Sequence, residues 1–250
     1  MGRALPLLAA VFAMAAMPYA AAAHPVGVRI AHAGPQARPH APAARAHAKP
    51  RHRFTLVDAS SGAVIRTRPN GRIAGTLPGR TSLGTVTWLW AVQTSPDGRW
   101  ARVILPWRPN GRTGWVSLRG HRTVASRIWV RADLSRRRVD LMRGDATLRS
   151  FVAAIGAAGS PTPVGRFSVT DPIATGDPGG PFGWYAFGLS GHQPNLPAGW
   201  SGGDQLAIHG TNAPSSLGTA ASAGCLRISA TALGILKRYL RPGTPVVIQA

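Results

Sequence analysis

From Phe54 onward the chain is a series of short runs rich in Val, Ile, Thr and Trp, each cut by Gly, Pro, Asn or Asp. "FTLVDASSGAVIRTRP", "GTVTWLWAVQTS", "WARVILPW" and "GRTGWVSL" are examples. With 30 Gly and 22 Pro in 250 residues, few stretches are long enough for a helix of several turns. Short β-branched and aromatic runs bounded by turn residues read as antiparallel strands. The pentapeptide "RPNGR" occurs twice, at Arg68–Arg72 and Arg108–Arg112. Asn-Gly favours the turns that close hairpins, so "WARVILPW" and "TGWVSL" are expected to pair across the second copy. The tryptophans concentrated here (Trp88, Trp90, Trp100, Trp107, Trp115) are expected to fill the core of a small barrel over residues 54–125, the alternative being an aromatic ligand face.

A second β-rich block starts near Ser126, with a turn at Arg143-Gly144-Asp145. "GSPTPVGRFSVTDP" is a loop running into a strand, and "PFGWYAFGLSG" and "DQLAIHG" are further strands, the last ending at His209. "SATALGILKRYL" alone carries helical periodicity, with Leu233, Leu236 and Leu240 on one face. Pro242-Gly243 stops it, and "TPVVIQA" closes as a strand. The expected fold class is mainly β: a small β-barrel domain, then a β-sandwich-like domain with one or two helices.

The N-terminus has a different character. "MGR", then "ALPLLAAVFAMAAM", then Ala21-Ala22-Ala23 read as a secretory signal peptide over residues 1–23. The alternative is an uncleaved anchor, although the apolar run is shorter than a span needs. Residues 24–53 are rich in Ala, Pro, His and Arg and hold no acid. They cannot bury enough apolar surface to offset their ordering entropy, so they are expected to form a disordered linker. Five of the eight histidines lie there; their loose spacing favours a weakly basic tether over a metal-binding tract. The chain is therefore expected to be exported, to the periplasm or the cell-wall side of the membrane.

The formal charge is +21, and residues 1–53, 54–125 and 126–250 carry +7, +8 and +6 of it. Positive charge spread this way attracts anionic surfaces. Export argues against nucleic acid and for anionic cell-envelope polymers. The chain has no Glu and eight scattered Asp, which excludes the carboxylate pair of a glycosidase. No cofactor and no metal are expected: His121, His192 and His209 have no ligand spacing. Oligomeric state is not legible.

The chemistry concentrates in "IHGTNAPSSLGTAASAGCLRIS", where Cys225, the sole cysteine, follows His209 by sixteen residues. A thiol reacts as thiolate and needs a base or positive surroundings, which a strand-end histidine can supply. Glycines at 210 and 224 permit close backbone approach. Backbone N–H groups at Gly224 and Cys225 can face a developing oxyanion, and Arg227 can hold a carboxylate. On spacing alone, a buried structural cysteine accounts for the pair equally well.

The full string resembles the L,D-transpeptidase catalytic (YkuD-type) domain. "IHGTN", the small-residue loop "APSSLGTAA" and "SAGCLR" stand where that family has His-Gly-Thr-Asn, a loop, and Ser-His-Gly-Cys, an aliphatic residue and Arg. "TPVGRF" and "GTPVVI" match its other segments, so the resemblance covers about residues 126–250. "VIRTRPNG", "DGRWARV" and "GRTGWVSL" likewise resemble a bacterial Src-homology-3-like domain.

The family resemblance implies that Cys225 is an acylated nucleophile and His209 its base. It implies that the Gly210 carbonyl orients the imidazole and that Gly224 and Cys225 are oxyanion donors. Arg227 would bind substrate carboxylate or brace the loop, and Ser222 sits beside the oxyanion turn. It further implies crosslinking of donor and acceptor peptidoglycan stem peptides through a thioester, and inactivation by carbapenems. Water as acceptor would make a carboxypeptidase. A decayed, wall-binding transpeptidase is the other alternative, because Ala223 replaces the family's usual histidine. Ala230 also stands where Asn is common.

Overall fold

The structure, a computed structural model, describes residues 52–200 and 203–250. The expected signal peptide and nearly all of the expected linker lie outside the described residues. Among the described residues no helix is long and apolar enough to cross a membrane.

The first sheet is built from β1 (Phe54–Asp58), β2 (Ala63–Arg66), β3 (Ile73–Leu77), β4 (Trp88–Thr94), β5 (Trp100–Ile104), β6 (Thr113–Ser117) and β7 (Thr123–Ser126). Its order is β3-β2-β6-β5-β4-β1-β7. Both "RPNGR" segments turn hairpins, β2 to β3 and β5 to β6. In the latter, Trp100 pairs with Ser117 and Ile104 with Thr113. The core here is aliphatic, with Val57, Ile65, Val103 and Val116 closed to solvent. The tryptophans depart from expectation. Trp90 and Trp100 are buried, but Trp88, Trp107 and Trp115 are half-exposed. Trp90 also turns away from this core, into a seam with Leu56, Ile104 and Val247 of the second sheet.

The second sheet contains β8 (Ile128–Asp133), β9 (Arg138–Arg143), β10 (Ala146–Val152), β12 (Gly165–Ala174), β13 (Tyr185–His192), β14 (Gln205–His209), β16 (Leu226–Arg227) and β17 (Pro245–Gln249). Its order is β10-β9-β8-β17-β12-β13-β14-β16. A parallel pair, β11 (Ile155–Gly156) and β15 (Ala220–Ser222), stands beside it. The fold is mainly β, as the strand pattern requires, with one α-helix and a single 3-10 turn at Pro214–Ser216 among the described residues.

Helix α1 (Ala230–Tyr239) forms where periodicity places it. The Ser229 hydroxyl accepts the Ala232 N–H as N-cap, and Lys237 and Arg238 oppose the dipole in the last turn. Leu233, Leu236 and Leu240 pack into the core with Phe167, Phe187, Leu206 and Ile208. Burial of these three leucines is worth about 1.5–3 kcal/mol each. Leu206 and Ile208 of β14 and Leu226 of β16 share that core with the helix leucines.

Candidate active site

His209 is the last residue of β14, and Leu226–Arg227 pair in parallel beside it, Ile208 opposite Leu226 and His209 opposite Arg227. Sixteen residues of sequence thus collapse into adjacent strands. The Ile228 N–H donates to the His209 carbonyl at 2.9 Å, closing the junction. Cys225 lies one residue before β16, at the head of the strand.

The imidazole is buried, with 3% of His209 exposed. Its Nδ1 lies 2.6 Å from the Gly210 carbonyl oxygen, so Nδ1 carries the proton and Nε2 keeps its lone pair. The Phe182 ring meets it edge-on at 4.9 Å. A side chain at 210 would interfere: a Cβ there would stand 3.0 Å from the Phe182 carbonyl, the Gly183 Cα and Leu233. Burial lowers the His209 pKa from 6.5 to about 4; the bond to Gly210 opposes this, and the Arg227 charge adds to it. The imidazole is neutral at pH 7.

Burial also raises the Cys225 thiol, against a backbone hydrogen bond from Ala207 and the Arg227 charge. The sulfur lies 4.0 Å from the Gln205 carbonyl. The resting pair is therefore thiol and neutral imidazole, not thiolate and imidazolium. Both open on one cleft of about 380 Å³, whose walls include Phe182, Trp200, Gln205, Ala223 and Arg227.

The turn before Cys225 is locked from two sides. The Ser222 hydroxyl donates to the Cys225 carbonyl at 2.6 Å and accepts the Gly224 N–H at 3.1 Å. The Gly224 amide is thereby committed inside the turn. Of the two expected oxyanion donors, only Cys225 keeps its N–H without a partner among the described residues. Gly224 serves another need: it sits at φ +116°, and a Cβ there would lie 2.0 Å from Gln193 Nε2. That buried amide donates to the carbonyls of Ser160 (3.2 Å), Pro161 (3.0 Å) and Ala223 (3.2 Å).

Arg227 is half-buried on the cleft wall. Its backbone bonds Ala154 in both directions. Its Nε is buried without a hydrogen-bond partner among the described residues. No group of three metal-ligating side chains occurs among the described residues.

Of the residues singled out in the sequence, the structure places Cys225, His209, Ser222 and Arg227 on the walls of this cleft, with Gly210 next in chain to His209. Sequence reasoning missed Gln193, Phe182 and Trp200, whose approach is set by tertiary contacts and carries no local motif.

Residues 127–248 match the L,D-transpeptidase catalytic domain, the YkuD family. The YkuD protein of Bacillus licheniformis is 34% identical over 111 residues, which are 44% of this chain and 58% of that protein. The YkuD protein of Bacillus subtilis strain 168 is 29% identical over 119 residues, 48% of this chain and 64% of that protein. The matched part of this chain thus spans less than two thirds of either relative. Among solved structures, an L,D-transpeptidase from Mycobacterium smegmatis aligns with 80% of this chain and 83% of its own, at 15% identity and TM-score 0.40. Bd1075 of Bdellovibrio bacteriovorus aligns with 50% of this chain and 48% of its own, at 23% identity and TM-score 0.39.

Proposed function

We propose that the protein is an exported peptidoglycan L,D-transpeptidase with Cys225 as nucleophile and His209 as base. One observation carries the reading. The chain's only thiol and a buried imidazole with Nδ1 tied to the Gly210 carbonyl open on the same cleft.

Because the resting pair is neutral, proton transfer ahead of attack is uphill. The Sγ–H proton therefore passes to His209 Nε2 as sulfur attacks the donor carbonyl preceding the terminal D-residue. The Cys225 N–H faces the resulting oxyanion. Collapse breaks the peptide C–N bond, His209 returns its proton to the leaving amine, and a D-amino acid departs from a thioester. The side-chain amine of an acceptor stem attacks that thioester and gives its proton to His209. The thiolate leaves and takes that proton, so the cycle ends at the neutral pair. Arg227, whose Nε has no hydrogen-bond partner among the described residues, stands on the cleft wall and binds a substrate carboxylate. Net positive charge favours accumulation at an anionic envelope.

The test is incubation with disaccharide-tetrapeptide and analysis of products by mass spectrometry. Crosslinked dimer with stoichiometric free D-amino acid supports transpeptidation. Tripeptide without dimer identifies a carboxypeptidase, and unchanged substrate with folded protein identifies a decayed wall-binding domain.

A further inference from the structure

The two "RPNGR" copies differ in what they touch. The hydrogen bonds of the first, Arg68–Arg72, stay within its own hairpin, among them Gly71 N–H to the Arg68 carbonyl and Arg66 to the Gly71 carbonyl. The second, at the β5–β6 tip, crosses to the second sheet. Asn110 Nδ2 donates to the His192 carbonyl at 2.7 Å, and Asn110 Oδ1 accepts the His192 N–H at 2.8 Å. One carboxamide thus pairs with both backbone groups of His192 as a neighbouring strand would. The His192 ring adds contacts through Nε2 to the Pro106 carbonyl (3.1 Å) and Nδ1 to Asp204 (3.2 Å). Arg108 ion-pairs with Asp204.

His192 and Asp204 bracket the loop that forms one wall of the cleft. Gln193 follows His192 directly. Its N–H donates to the Asp204 carbonyl at 2.7 Å, and its side chain holds the Ala223 carbonyl two residues before the thiol. A continuous set of hydrogen bonds therefore runs from the tip of the first sheet to the turn that presents Cys225.

We infer that Asn110 is a positioning residue for Cys225, acting through His192 and Gln193, so that the first sheet is part of the active-site scaffold. Its acylation arm rests on the transpeptidase reading; its structural arm does not. The bracket fixes the Gln193 end of the loop, and Gln193 fixes the Ala223–Gly224 peptide. Removing Asn110 frees both backbone groups of His192 and loosens that register without touching the substrate cleft.

The experiment uses the full chain with Asn110→Ala, Gln193→Ala, their double variant, and Asn70→Gly as the matched change in the other copy. The carbapenem acylation rate of Cys225 is resolved into KI and kinact. Asn110→Ala should lower kinact by about tenfold or more, the scale of two lost backbone hydrogen bonds, with KI changed less than about twofold. Asn70→Gly should match wild type, and the double variant should be no slower than Gln193→Ala alone. Wild-type kinact in Asn110→Ala, or rate losses that multiply in the double variant, would overturn the inference. Should Asn110→Ala fail to fold, Asn110→Asp, which keeps only the acceptor, should give an intermediate loss; a wild-type rate there would also overturn it. If wild type itself is not acylated, the transpeptidase reading fails, and hydrogen exchange over residues 193–204 decides. Faster exchange in Asn110→Ala than in Asn70→Gly supports the bracket, and equal exchange refutes it.

Discussion

Gly224→Ala is the substitution whose cost can be worked most directly from the structure, and it has two separable parts. The first is backbone strain. Gly224 sits at φ +116°, where an L-residue is held at a cost of about 1–3 kcal/mol. The second is a collision. The new Cβ would lie 2.0 Å from Gln193 Nε2 and 2.9 Å from its Cδ, so the amide must leave its three carbonyl partners. A buried amide stripped of partners costs about 1–3 kcal/mol. The sum, about 2–6 kcal/mol, is a large share of the 5–15 kcal/mol that typically holds a domain folded. Urea denaturation measures it, in wild type and in a Gln193→Ala background. The collision disappears in that background, so Gly224→Ala should there cost only the strain part. Equal costs in the two backgrounds, or a total below about 1 kcal/mol, would refute the reasoning.

Acylation of Cys225 should fall as pH drops through about 4, not through 6.5, because the base is an imidazole whose pKa burial has depressed; a rate profile with its acid limb near 6.5 would contradict this. The same depression links to stability. Above 6.5 both folded and unfolded His209 are neutral and the contribution is fully present. As pH falls the unfolded state gains the proton first, and about 3 kcal/mol is lost by the time pH passes below about 4, measurable as a falling urea midpoint that His209→Gln should flatten. Ala223→His places an imidazole on the cleft wall beside the thiol and should keep or raise the acylation rate, read by stopped-flow β-lactam consumption. A loss exceeding about tenfold would show that the cleft is shaped around the smaller residue.

The strand pattern was legible because its signals are local. Asn-Gly turns, β-branched runs and the Leu233, Leu236, Leu240 stripe each act over a few residues. The proximity of Cys225 and His209 was legible for a different reason: they lie in a short segment whose ends return to neighbouring strands. Gln193 was not legible, because its partners Ser160, Pro161 and Ala223 stand about thirty residues away on either side and a lone Gln carries no spacing signal. Asn110 was visible only as a turn residue; its reach to His192 follows from how the sheets dock. The engagement of the Gly224 N–H by the Ser222 hydroxyl was not legible either, because it depends on how the turn closes. The tryptophan-filled core failed because one face of the first sheet packs on the second, so Trp90 leaves the aliphatic interior for that seam.

The central claim is that Cys225 is a nucleophile activated by His209. Whole-protein mass spectrometry with peptide mapping after carbapenem exposure tests it most directly, on wild type, Cys225→Ser and His209→Ala. The account predicts one covalent adduct on Cys225 in wild type, none in Cys225→Ser, and acylation slowed by about 10²-fold or more in His209→Ala. Folded wild-type protein without an adduct, or His209→Ala acylating at the wild-type rate, would contradict it.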